Sequence, residues 1–378
     1  MKKYRKITAL ILAITLIAIP SIFSKASEIS TPQPQMNEQA SLWYDSNTDQ
    51  YTAPYDKDSS EWNNAATALE RKSLFQIPDS VLSNISTSNL LDLILTYPYL
   101  IEIIYYNSYT DGINALRENY SGVSELFVRS DAPSVVLDRY VVEPLDENLD
   151  SLLCNIFFET FLSHEMIINS FTKEDMQILN QETNLKYIQK QNLDYYSSFE
   201  SVFYQGLEKT FDTNLKAPKS SRTISDVTLK TKKGETVYAK YYSSYEEMDH
   251  DTVNAVNTES ENAFPTATLY RDASNLYNCH FFTWFRDYGL VYQYWVIDPS
   301  PFLKKDAVYF GTAPSKIGQN AIYWTSGGAA DHSAYVYSYT SSTNYKLISK
   351  WGNGPVMIHS RYSCPYSSSY IKFYNVVN

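Results

Sequence analysis

The period of the apolar positions changes twice along the chain. Residues Ile7 to Ile19 form an uncharged apolar run, preceded by Lys2, Lys3, Arg5 and Lys6 and followed by Ser24-Lys25-Ala26. Basic, apolar and small residues in that order predict an export signal over residues 1–26, because the run is shorter than the ~20 residues that span a bilayer; the alternative is an uncleaved N-terminal anchor. Residues 27–60 are rich in Ser, Thr, Pro, Asn and Asp and read as a flexible leader. From Glu61 to Lys216 apolar residues recur at helical spacing. Ser86-Thr87 before Leu90, Leu91, Ile94 and Leu95 is a hydroxyl-capped helix start, and Pro98 ends or kinks that helix. Leu90–Ile104 is apolar, but Asp92, Pro98 and Glu102 interrupt it, so it predicts a buried helix pair. Ile113, Leu116, Tyr120 and Val123, then 149–168 and 175–195, continue the pattern. The region 61–217 is expected as a helical domain.

After Pro218 the period falls to two. Val227 to Tyr242 alternates about Lys233-Gly234, a hairpin signal. Acidic and polar residues fill 246–262. Short Tyr- and Val-rich strands are predicted at 307–310, 321–324, 333–339, 346–351 and 356–359, with one helix over Cys279 to Arg286. The region 218–378 is therefore expected as a second domain, with a helix packed on an antiparallel sheet, making the chain α+β.

Composition narrows the function. Of 378 residues 44% are hydrophobic, which supports a packed interior. Aromatics reach 15%, with 34 Tyr, while Gly numbers only 11, and neither a P-loop nor a dinucleotide fingerprint occurs. Net charge is −11, and Lys and Arg cluster only at the N-terminus. A nucleic-acid partner is thus not expected, nor is a membrane span once the signal is removed. Three cysteines are too few, and odd in number, for a disulfide framework. Cys154, in the apolar run LLCNIFF, reads as a buried structural thiol.

The chemistry concentrates in the last 100 residues, where three of the five histidines lie with Cys279 and Cys364. If a helix begins near Asn278, Cys279 sits in its first turn, where free N–H groups and the dipole would favour a thiolate; otherwise it is a buried Cys at the head of a core helix. His332 opens a strand after the Gly328–Ala330 turn and is placed to take a thiol proton, or else is a turn residue. A zinc site from Cys279, His280, His332, His359 and Cys364 lacks the closely spaced ligand pairs of a ribbon, so no metal or other cofactor is expected. Cys364 before Pro365-Tyr366 reads as a buried thiol. No Gly-x-Ser-x-Gly occurs to carry a serine nucleophile.

A helix-borne Cys, a strand opening with His, and a polar residue on the next strand resemble the NlpC/P60 and CHAP branches of the papain-like superfamily. The motifs Tyr277-Asn-Cys-His-x-x-x-Trp284, Asp331-His-Ser-Ala, Ile348-Ser-Lys-Trp-Gly352, His359 and Cys364-Pro-Tyr366 also resemble a group of exported bacterial proteins carrying Cys-His-x-x-x-Trp. This likeness covers roughly residues 265–370, and the helical part looks like a module often joined to such domains. It implies a papain-like C-terminal domain and an exported thiol hydrolase, secreted or at the surface of a bacterium. Such enzymes typically cut amide bonds of cell-wall peptides, so the implied partner is a peptide or peptidoglycan substrate. Carried over residue by residue, Cys279 is the nucleophile and His332 the base. The imidazole-orienting position falls on Ser349, with Lys350 and His359 as rivals. NlpC/P60 enzymes usually have His, Asn or Gln there and CHAP enzymes Glu or Asn; Ser can accept an N–H bond, whereas charged Lys has no acceptor. Asn278 and His280 also depart from the usual Asp-Cys-Ser-Gly flank. His280, Trp284 and Trp351 are candidates to line a substrate groove, or else core residues. The competing class is a non-catalytic surface or binding protein on the same scaffold, with a Tyr-rich face for glycan or peptide.

Overall fold

The computed structural model describes residues 42–45, 50–190, 193, 224–243, 247–367 and 369–377. The expected export signal lies outside these residues, as does the boundary expected at 217. Helices occupy the first half, among them Thr87–Leu95, Tyr109–Asn119, Ala132–Val142, Leu149–Ser163 and Lys173–Lys190. The Ser86 side chain accepts from the Asn89 N–H, so the hydroxyl cap forms as read. The predicted helix pair across Pro98 becomes one α-helix, Thr87–Leu95, and a 3-10 turn, Leu100–Ile104, every residue of which is buried. Leu149–Ser163 has no exposed face over residues 151 through 162, which are all buried, and this makes it the central rod of the helical half.

Among the described residues twelve strands form three sheets. A two-residue hairpin pairs β1 (Tyr44–Asp45) with β2 (Gln50–Tyr51). Trp43 beside it is 3% exposed and belongs to the main core, so part of the expected leader is fastened down by one large apolar ring. The second sheet has the order β3 (Ser225–Lys230), β4 (Thr236–Tyr241), β6 (Tyr294–Val296). β3 and β4 are the expected hairpin, and Gly234 takes φ 88° in its turn.

The main sheet is antiparallel, in the order β5 (Thr268–Arg271), β11 (Val356–His359), β10 (Tyr345–Lys350), β9 (Ala330–Tyr339), β8 (Asn320–Trp324), β12 (Ile371–Val376), β7 (Ala307–Gly311). Five of these seven match predicted strands; β5 and β12 were not foreseen. Alternation divides the sheet cleanly. Ala321, Tyr323, Ala334, Val336, Leu347, Met357 and Phe373 pack with the helical half. Ile322, Ile348, Val356 and Tyr374 pack with Phe281, Phe282 and Trp284 and with the second sheet. Both faces are covered, so these strands carry apolar residues on both sides.

The polar stretch 246–262 is largely a helix, His250–Ala263, capped by Asp249. Its buried positions include Thr252, Val256, Ser260 and Ala263, at helical spacing but mostly small and polar, so the sequence shows no apolar period there.

The two halves share one core. Tyr105 Oη lies 2.5 Å from Ser260 Oγ, Tyr106 Oη donates to Pro365 O at 2.7 Å, and the Asn353 N–H donates to Ile104 O at 2.9 Å. Gly352 has φ 45°, and a Cβ there would fall 2.4 Å from the Tyr105 carbonyl carbon, so the turn after β10 meets the helical half backbone to backbone. Among the described residues no helix is long and apolar enough to cross a membrane.

Candidate functional site

The segment bearing Cys279 is the helix Cys279–Trp284, with Asn278 as its N-cap. Asn278 is fully buried and fully used. Its Oδ1 accepts from the N–H groups of Phe281 and Val296, both at 3.1 Å. Its Nδ2 donates to Val296 O at 2.7 Å and to Asn107 Oδ1 at 3.0 Å. These bonds pin the helix start to β6 and to the helical half.

Cys279 is 0% exposed. Its Sγ lies 3.8 Å from Asn107 Oδ1. Burial pushes the thiol up to about 12, against the backbone N–H groups of Ser333 and His280, which favour the anion. The thiolate expected from the helix start is therefore not the resting form. A six-residue helix has a small dipole, and the loss of water outweighs it.

Ser333 is the joint between the Cys279 helix and the sheet. Its Oγ lies 2.8 Å from His280 Nδ1 and accepts from Trp284 Nε1–H at 3.0 Å. His280 is completely buried, and burial lowers it to about 4, so its imidazole is neutral.

His332 precedes Ser333 on β9 and so faces the other side of the sheet. Its ring stacks on Tyr366, with centroids 3.6 Å apart and planes inclined by 13°, and meets Tyr323 edge-on at 5.3 Å. Both ring nitrogens are buried without a hydrogen-bond partner among the described residues. Burial, and then the nearby His359 and His280, hold its pKa well below the ordinary histidine value. Neither Cys279 nor Ser349 is hydrogen-bonded to it.

The three residues considered for the orienting position have other partners. Ser349 Oγ lies 2.7 Å from His359 Nε2 and accepts from Trp351 Nε1–H at 3.2 Å, while His359 Nδ1 lies 2.8 Å from Ser360 O. Ser349 and His359 thus satisfy each other, and burial lowers His359 to about 4. Lys350, on the opposite face of β10, donates to the carbonyls of Ser274, Gly352 and Gly354 at 2.7, 2.5 and 2.6 Å. Burial lowers its pKa well below the ordinary lysine value, although the neighbouring Cys279 pulls the other way. It ties the loop leading to Cys279 to the turn after β10.

His280, Trp284 and Trp351, read as candidate groove residues, are interior at 0%, 4% and 0% exposure. Each is hydrogen-bonded to Ser333 or Ser349 rather than facing an open cleft. Cys154, Cys279 and Cys364 are all free and buried. Burial raises Cys154 to about 12 and Cys364 to about 11. Among the described residues no group of three or more His, Cys, Asp or Glu side chains is arranged to hold a metal ion.

One residue of the site had no signal in the sequence. Asn107 follows Tyr105-Tyr106 in the helical half and touches Asn278, Cys279, His280 and the Asp331 carbonyl. No motif surrounds it, and 171 residues separate it from Asn278.

In comparison with known proteins, no family model, no curated protein and no solved structure matches the chain.

Proposed function

We propose that the chain is an exported thiol hydrolase of papain-like organisation that cleaves peptide amides, with cell-wall peptide as its candidate substrate. The observation that carries this is the imidazole of His332, buried with neither nitrogen bonded, one residue from the Ser333 N–H that faces the Cys279 sulfur. A buried polar ring without partners costs stability, and a catalytic role is one physical reason for such a group. Export rests on the basic and apolar order of residues 1–26.

In the reaction the Cys279 S–H proton passes to a His332 ring nitrogen as sulfur bonds to the scissile carbonyl carbon. The imidazolium then protonates the leaving amine as the C–N bond breaks. Water next cleaves the thioester, releasing the acid and restoring the thiol. The Cys279 backbone N–H is the candidate donor to the oxyanion. The resting arrangement is closed and neutral, so turnover requires an opening that brings the ring of His332 to the sulfur.

The test is hydrolysis of muropeptides by the purified, signal-free protein. Cys279→Ala is expected to lower the rate by about 10³-fold or more. Unchanged hydrolysis in that variant would eliminate the mechanism.

A second reading, a non-catalytic binding protein on the same scaffold, is favoured by the complete burial of Cys279 and by the separate hydrogen-bonding of Ser349. Retention on insoluble peptidoglycan without any hydrolysis, equal in wild type and Cys279→Ala, selects it.

A further inference from the structure

We infer that Asn107 is a positioning residue. Supplied by the helical half, its carboxamide fastens the segment carrying Cys279 to the segment carrying His332 and keeps the sulfur in its closed position. This rests on the proposed thiol chemistry only in taking Cys279 as the group that is positioned.

The two shortest bonds of Asn107 go to residues beside the two candidate catalytic groups. Asn278 Nδ2–H donates to Asn107 Oδ1 at 3.0 Å, next to Cys279. Asn107 Nδ2–H donates to Asp331 O at 2.9 Å, next to His332. Two longer contacts reach the active segment itself, Cys279 Sγ to Oδ1 at 3.8 Å and Nδ2 to His280 Nε2 at 3.4 Å. The orientation of the amide is set chemically. Turned over, it would bring an acceptor oxygen against the Asp331 carbonyl and an NH2 against the Asn278 NH2. A side chain with both a donor and an acceptor on one planar group is what this bridge needs.

The bridge is anchored on both sides. Tyr106, its neighbour, donates to Pro365 O at 2.7 Å. Pro365 adjoins Tyr366, which stacks on His332 and whose hydroxyl donates to Tyr105 O. Residues 105–107 therefore hold the region around His332 through two successive tyrosines and an asparagine. Asn107 and Asp331 are half-buried while Cys279, His280 and His332 are fully buried, so solvent meets this cluster on the Asn107 side.

The experiment alkylates folded full-length protein, freed of the signal, with iodoacetamide and follows each cysteine separately by peptide mass spectrometry. Cys154 and Cys364, also buried, are internal controls. With Asn107→Ala and with Asn107→Leu, Cys279 is expected to label about tenfold faster than in wild type, with both controls within about twofold. An unchanged Cys279 rate overturns the inference, as does a rise shared equally by all three cysteines, which would report general loosening. In wild type, NMR of the Asn107 carboxamide supplies a check that does not depend on a variant folding. Its Nδ2 protons are expected to exchange far more slowly than those of an exposed asparagine, and equal exchange overturns the bridge. If Cys279 responds selectively while muropeptides are never cleaved, the hydrolase fails and the bridge stands. If cleavage depends on Cys279 but its labelling ignores Asn107, the bridge alone fails.

Discussion

At the scale of the residue, burial dominates electrostatics around Cys279. The thiol is held up and three imidazoles are held down, in each case chiefly by the loss of water. The sign for stability follows. Unfolded histidine titrates near about 6.5, whereas folded His280 and His359 titrate near about 4 and His332 well below its ordinary value. Between those limits the unfolded chain binds protons that the folded chain refuses. These imidazoles therefore contribute stability that is fully present above about pH 6.5 and is lost as pH falls toward their folded values. Asp331 opposes this. Burial, and then Asp111 and Glu118, raise it to about 7, so the folded state keeps a proton there that the unfolded chain releases. The His332 share is isolated by His332→Phe. In urea unfolding between pH 5 and 6, its stability should depend on pH less steeply than wild type, by up to one proton, at most about 1.4 kcal/mol per pH unit. Equal slopes would mean that His332 is free to protonate in the folded protein.

At the scale of the element, the short helix Cys279–Trp284 has too few turns to stand alone and owes its place to Asn278. Replacing Asn278 by Ala removes the cap and strands the Val296 N–H and C=O inside the protein. Losses of about 1 kcal/mol for the cap and about 1–3 kcal/mol for the unmet groups predict a destabilisation of about 3 kcal/mol, read from the denaturation midpoint. A loss below about 1 kcal/mol would place the anchor elsewhere. This helix was legible in the Asn-Cys-His-Phe-Phe sequence, though the capping role of Asn278 was not, and so were β3–β4, β7 to β11 and the Ser86 cap. The His250–Ala263 helix was not, because Thr252 and Ser260 occupy its inner face, Thr252 donating to the Asp249 carboxylate and Ser260 meeting the Val256 carbonyl and the Tyr105 hydroxyl, rather than packing in oil. β12 was missed because its pairing with β7 and β8 is decided by segments about 50 or more residues away in the chain.

At the scale of the whole molecule, the expected pair of domains is joined through a continuous core. Tyr99 donates to Ala263 O at 2.7 Å, and Tyr105 packs on Trp351 with ring centroids 5.5 Å apart. Gly352 marks the tightest approach. Gly352→Ala must push a methyl into the Tyr105 backbone and hold φ 45° as well, and the strain falls on both halves at once. Its urea unfolding is expected to remain a single transition, shifted to lower denaturant equally by far-UV circular dichroism and tryptophan fluorescence. Two separated transitions would show that the halves fold independently.

Local rules written into the order of residues determined the helical first half, the hairpin, most strands of the main sheet, and the placing of Cys279 at a helix start and His332 near a strand start. Those features depend on side-chain period and on caps a few residues away, which a linear chain displays. Which face of the sheet each side chain takes, and what waits there, was decided only in three dimensions. Strand alternation turns Ser333 toward the Cys279 helix and His332 toward Tyr366, and long-range packing brings Ser349 to His359 and Asn107 to Asn278. The strength of a thiol or an imidazole depends on the water left around it, and that is set by what the rest of the fold lays over it.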